Sequence, residues 1–156
     1  MAVANGGTGA TSLTANYALF GNGTSAVSAS SLLQIVGSYI RPTAYADTVV
    51  AAGNTGTALT LNCTQGNVFT ATLTGNATIT LSSPVSTGST SITLVLTNDG
   101  TAGRTVAWAG GTFLFPGGAA SLSRTTTANA TDVWVFFTNN GGTTWYGSIP
   151  MKNMTA

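Results

Sequence analysis

Few groups in this chain could act on a bond. Asp47, Asp99 and Asp132 are the only carboxylates, and the 156 residues include no histidine and no glutamate. Glycoside hydrolysis needs two carboxyl groups about 5 to 9.5 Å apart. Each Asp here sits where a turn or a strand end favours it, most plainly Asp99 in Asn-Asp-Gly. The many Ser and Thr hydroxyls have no base to activate them. Cys63 is single, which excludes an intramolecular disulfide framework, and it reads as a small core or strand residue. Zinc and haem sites lack their usual His ligands. Gly6-Gly7-Thr8-Gly9 has neither a preceding strand nor a following Gly-Lys-Ser/Thr, so it reads as flexible backbone rather than a phosphate loop. The expectation is a chain with no catalytic residue, no metal and no cofactor.

Recognition by stacking is the other chemistry on offer. Trp108, Phe113, Phe115 and Tyr146 lie near turn signals, and at loop tips their rings would stack on sugars. Trp134, Phe136 and Trp145 read instead as core anchors. They belong to a predicted hairpin: Thr131 to Thr138 is an unbroken β-branched and aromatic run after its first two residues, Asn139-Asn140-Gly141-Gly142 tolerates the positive φ of a reversal, and Thr143 to Ser148 returns. Alternation places Val133, Val135 and Phe137 on one face and Trp134 and Phe136 on the other. Both faces of that strand are therefore apolar.

The elements that must position these residues are strands. From residue 48 onward, runs rich in Val, Ile, Leu and Thr cover 48–52, 57–63, 68–73, 78–81, 91–97, 104–108 and 121–127, separated by Gly, Asn and Pro turn signals. With no crossover helix in view, the pattern predicts an all-β fold, an antiparallel β-sandwich of jelly-roll type. Gly-Asn recurs at 21–22, 53–54, 66–67 and 75–76 without a fixed period, which reads as turn chemistry and not as a solenoid. Residues 30–36 fit either a capped helical turn or a short strand.

Residues 1–31 are Gly- and Thr-rich with isolated Leu13, Tyr17, Leu19, Phe20 and Val27, and such a segment cannot close a core alone. It is predicted to be an extended arm whose spaced apolar residues dock into a partner's grooves or intertwine with sister chains, the alternative being an arm folded back on its own domain. Residues 32–43 are a connector, 44–149 the sandwich and 150–156 a C-terminal tail. The start has no basic or apolar leader pattern, and no run nears 18 apolar residues, so neither secretion by that route nor a membrane span is predicted. Asn-x-Ser/Thr at Asn22, Asn62, Asn76, Asn129 and Asn153 is expected by chance in such a composition.

Charge narrows the partners. Only 4% of residues are charged, against about 25% in a typical soluble domain. Arg41, Arg104, Arg124 and Lys152 are too scattered to track phosphates, which argues against nucleic acid. So little charge gives little colloidal protection, so much of the surface is expected to be covered by copies of the chain or by another protein.

Three stretches, in order, resemble a known group. They are Asn5-Gly-Gly-Thr-Gly-Ala-Thr-Ser-Leu-Thr-Ala-Asn to Gly21-Asn-Gly-Thr-Ser-Ala-Val, then Gly66-Asn-Val-Phe-Thr-Ala-Thr-Leu-Thr-Gly-Asn-Ala-Thr-Ile-Thr, and Asp132-Val-Trp-Val-Phe-Phe-Thr-Asn-Asn-Gly-Gly-Thr-Thr-Trp-Tyr-Gly. With Gly103-Arg104-Thr105-Val106 and Trp108 between the last two, they are similar to the β-rich modules of tailed-bacteriophage tail fibres, head fibres and capsid decoration proteins. The resemblance implies a non-enzymatic virion protein, commonly a homotrimer. Its partner would be the major capsid protein or a tail or baseplate protein, and in a fibre a host-surface glycan.

Overall fold

The computed structural model describes residues 7–36, 39–83, 86–119 and 123–155, and residues 1–6 lie outside it. Among these the protein is all-β. It divides into two compact units, Met1–Ala46 and Asp47–Ala156.

In the first unit β1 (Tyr17–Phe20), β2 (Ser28–Val36) and β3 (Tyr39–Pro42) form an antiparallel sheet in the order β1-β2-β3. Residues 30–36 are thus strand, and much of the segment read as an extended arm is paired. Described residues ahead of and between these strands add two backbone bonds, Val27 N donating to Thr8 O at 2.9 Å and Ile35 N to Asn16 O at 2.8 Å.

The second unit is wound. β4 (Val49–Asn54), β6 (Val68–Leu73) and β8 (Thr90–Asn98) lie in one sheet, and β5 (Ala58–Asn62), β7 (Ala77–Ser82) and β9 (Val106–Ala109) in another. The chain alternates between the two sheets, so each strand pairs not with the next strand but with the one after it, and all four of these pairings are parallel. The antiparallel jelly-roll expectation is corrected here, along with the rejection of a solenoid: the strands are right in place, but a β-strand in the opposite sheet serves as the crossover that parallel pairing requires. Gly66-Asn67 and Gly75-Asn76 lie at corners between sheets rather than in hairpin turns, and Gly53-Asn54 ends β4, paired with Ala71 and Thr72.

Register is what holds the turns together. Leu59, Ile79 and Trp108 stand opposite one another across β5, β7 and β9, and Val50, Phe69 and Leu94 do so across β4, β6 and β8. Period-2 alternation sends these columns inward into one shared core and the intervening Thr residues outward. The turns also stack closely at their corners. A Cβ on Gly75 would stand 2.5 Å from the Gly56 carbonyl oxygen, and one on Gly66 2.5 Å from that of Thr48, so only glycine fits where one turn crosses the last. Beside them Thr74 N donates to Thr55 Oγ1 at 3.2 Å and Gly56 N to Thr74 Oγ1 at 3.1 Å, which satisfies buried Thr55.

The first sheet outgrows the second. β11 (Thr131–Thr138) pairs antiparallel with β8, β12 (Thr144–Met154) with β11, and β10 (Thr112–Leu114) parallel with β12, giving the order β10-β12-β11-β8-β6-β4. The hairpin expectation holds for β11 and β12, with Thr138 Oγ1 accepting from Gly142 N at 2.9 Å inside the turn. The returning strand runs on to Met154, so most of the segment read as a tail is sheet. Over its described part, 123–127, the strand expected at 121–127 is irregular, because side chains rather than a neighbouring strand hold its backbone.

Two substitutions test this construction. Trp134→Ala should cost about 3–5 kcal/mol in a urea melt, since the indole is 2% exposed and packed on all sides. Gly75→Ala should cost about 1–3 kcal/mol by overpacking the corner. Gly100→Ala, where a Cβ meets nothing within 4 Å, should stay within about 0.5 kcal/mol of the parent. Equal effects at the two glycines would contradict corner stacking.

Candidate interaction surfaces

The chain's few charges are largely spent on itself. Asp99, Arg104, Arg124 and Asp132 gather where the last strand of the wound region meets the 123–127 segment. Asp132 is 3% exposed and accepts from Thr125 N at 2.7 Å and from Asn153 N at 3.0 Å. Asn98 continues the inward column begun by Leu73, and it donates to Thr127 O at 2.7 Å and Thr125 O at 3.1 Å. Arg124 donates to Asn98 Oδ1 and to Arg104 O, and its burial holds its pKa below the ordinary range against the pull of Asp132. Arg104 grips Asp99 with Nη2 to Oδ2 at 2.6 Å and Nε to Oδ1 at 3.2 Å. The cluster is a clamp: it pins an irregular segment across the end of the wound core, with its acceptors already occupied. Little in the residue pattern pointed to it. Asp132, read as a strand-end residue, is buried and bonded to backbone amides far along the chain.

The four aromatics expected at loop tips divide. Trp108 lies in β9, 4.8 Å from Trp134 and 4.7 Å from Phe136 between ring centroids. Phe113 and Phe115 pack on the same rings at 5.9 to 6.3 Å. These three are half-buried packing residues; Trp108 and Phe113 lie in strands rather than at loop tips, and Phe115 opens the turn closed by Gly118 N on its carbonyl but turns its ring onto Trp134. The reason is the unequal width of the sheets: the inner faces of β11 and β12 have no strand opposite, so rings stand in for one. Trp134, Phe136 and Trp145 are buried, as expected of anchors. Tyr146 alone of the four is exposed, at 46%. It lines a cleft of about 420 Å³ with Leu114, Phe115, Pro116, Gly147 and Ser148. Phe137, also exposed, lies 6.3 Å from the Tyr146 ring.

The expected attachment residues lie in or beside the first sheet. Tyr17, Leu19 and Phe20 are in β1, Val27 is half-buried just before β2, and Leu13 is exposed ahead of both. Unnoticed in the sequence were Leu32, Ile35, Val36, Tyr39 and Ile40, which are exposed on β2 and β3. Their clustering in a short apolar stretch, interrupted by Gln34 and Gly37-Ser38, was the available signal. None of the described residues from 7 to 46 is buried.

Among the described residues no three metal-ligating side chains come together, and no helix is long and apolar enough to cross a membrane. Cys63 is buried, which pushes its thiol up to about 11, well away from nucleophilic use. Compared with protein-family models, curated proteins and solved structures, the chain matches none.

The clamp predicts an acid limb of stability. The Arg104 hydrogen bond, helped by Thr101 N, holds the Asp99 carboxyl below its usual 3.8. A depressed folded value means that the contribution is present above the unfolded value and fades as pH falls through the folded one. Asp99→Asn should therefore melt lower than the parent at about pH 7, and the two melting temperatures should converge toward about pH 2. A constant offset across that range would show that the carboxylate is not what matters.

Proposed function

We propose that the chain is a structural protein of a bacteriophage virion, a trimeric capsid decoration or cement protein or short head fibre held by its N-terminal region. The observation that carries the reading is the division of labour between the units. Residues 47–156 close a core of their own, whereas the first unit has no buried side chain among those whose burial is described and carries exposed apolar side chains that need a partner. The resemblance of both regions to phage appendage modules supports it. So does the engagement of the polar cluster in structural bonds, which leaves the protein's role in shape and adhesion rather than catalysis. The Gly- and Thr-rich stretch before Tyr17 suits backbone pairing with, or threading between, capsid subunits. The part so held is the β unit of residues 47–156, whose strands β4 to β9 pair in parallel rather than as an antiparallel jelly roll.

One observation favours a second reading, a tail-fibre component that binds a host-surface glycan. The cleft beside Tyr146 combines an exposed phenol with an apolar wall, the composition on which a sugar ring stacks.

Deleting residues 2–29 should leave a folded body that no longer binds phage heads, and labelled full-length protein should occupy many lattice positions per particle. A count of about a dozen, the scale of a tail appendage with its closed symmetric rings, would favour the fibre, as would Tyr146→Ala abolishing adsorption to host cells.

A further inference from the structure

An Asn side-chain carbonyl can be attacked by the backbone nitrogen of the next residue, and glycine offers that nitrogen with no side chain in the way. The chain has three Asn-Gly pairs, Asn5-Gly6, Asn22-Gly23 and Asn140-Gly141, of which the last two lie among the described residues. Their surroundings are opposite. Asn22 and Gly23 are exposed in the turn from β1 to β2, which Ser25 N closes on Asn22 O at 3.0 Å. Among the described residues Gly23 N donates to nothing and Asn22 Oδ1 accepts from nothing, and the Asn22 side chain is held by a single long bond, Nδ2 to Ala26 O at 3.3 Å. A Cβ on Gly23 would meet nothing within 4 Å, so the space for a ring to close is there.

In the turn from β11 to β12 the same pair is locked. Asn140 Oδ1 accepts from Thr138 Oγ1 at 3.0 Å and from Thr144 N at 2.9 Å, and Thr138 is fully buried. Gly141 N, the atom that would attack, donates to Gly88 O at 3.0 Å, and a Cβ on Gly141 would run into the Ser86 backbone.

We infer that Asn22-Gly23 is a self-modification site that converts in water to aspartate and isoaspartate, and that the β11–β12 turn protects Asn140-Gly141 from the same reaction. Gly23 N gives its proton to hydroxide and bonds to Asn22 Cγ, and the side-chain nitrogen takes a proton from water and leaves as ammonia. Water then opens the cyclic imide. Breaking the bond from nitrogen to Cγ leaves aspartate at residue 22, whereas breaking the bond to the backbone carbonyl carbon leaves the chain running through the side chain. Nothing is oxidised or reduced: water enters, ammonia leaves and a carboxylate is gained. Residues 1–40 carry no charged side chain, so the conversion puts the first one there and takes the formal net charge of the chain from +1 to zero.

The test holds the full chain in warm, mildly alkaline buffer, with and without guanidinium chloride, and follows it by chymotryptic digestion and mass spectrometry. Cleavage after Phe20 and Leu32 separates Asn22 from Asn5 and Asn16, and cleavage after Phe137 and Trp145 isolates Asn140, which fragment ions distinguish from Asn139. In the folded chain the Asn22 peptide should gain the mass of an amide-to-acid exchange and split into two chromatographic forms. The Asn140 peptide should convert at least about tenfold more slowly, because three hydrogen bonds must open first. In the denaturant the two should convert at similar rates. Asn22 converting no faster than Asn140 in the folded chain would overturn the inference, as would an Asn140 that stays slow when the chain is unfolded.

Discussion

In-register stacking of inward side chains is the interaction on which the wound body depends. Each strand of one turn lies against the same strand of the turn before, so an apolar residue finds an apolar residue above and below it, as Leu59, Ile79 and Trp108 do. A slip of one residue would turn every such column toward solvent. The corners enforce the register from outside: Gly66 and Gly75 let the backbone of one turn touch the last, and across the same step Thr74 N donates to Thr55 Oγ1 while Thr74 Oγ1 accepts from Gly56 N. Low charge follows from this arrangement, since stacked identical positions would bring like charges directly opposite one another, where Thr costs nothing.

A stack must end, and this one ends in two chemically different ways. On the apolar side the six-stranded sheet runs past its three-stranded partner, and the space that missing strands would fill is occupied by Trp108, Phe113 and Phe115 against Trp134 and Phe136. Large rings are needed because the gap is a strand wide. On the polar side the inward column turns from Leu73 to Asn98, and Arg124 and Asp132 tie an irregular segment over it. Both devices keep the end of the wound region from presenting an open core.

The first unit has no such closure. Its strands pair with one another, which satisfies the backbone, but a single layer has no interior in which to place Ile35, Ile40 and Tyr39. The body closes a core within one chain, whereas the described side chains of the sheet do not. That asymmetry is why the functional reading rests on the N-terminal region more than on any cleft.

By itself the sequence determined that the protein is built of short strands, where most of them lie, and which aromatic residues anchor the core. These follow from local chemistry: β-branched alternation, Gly and Asn at reversals, and the absence of His and near-absence of charge. Only the tertiary structure decided that sequential strands lie in opposite sheets, because a Gly corner that leads to the facing sheet and one that folds back as a hairpin use the same residues. It alone brought Asp132 to Thr125 and Asn153 and placed Trp108 against Trp134, contacts set by how turns stack and not by any neighbour in the chain.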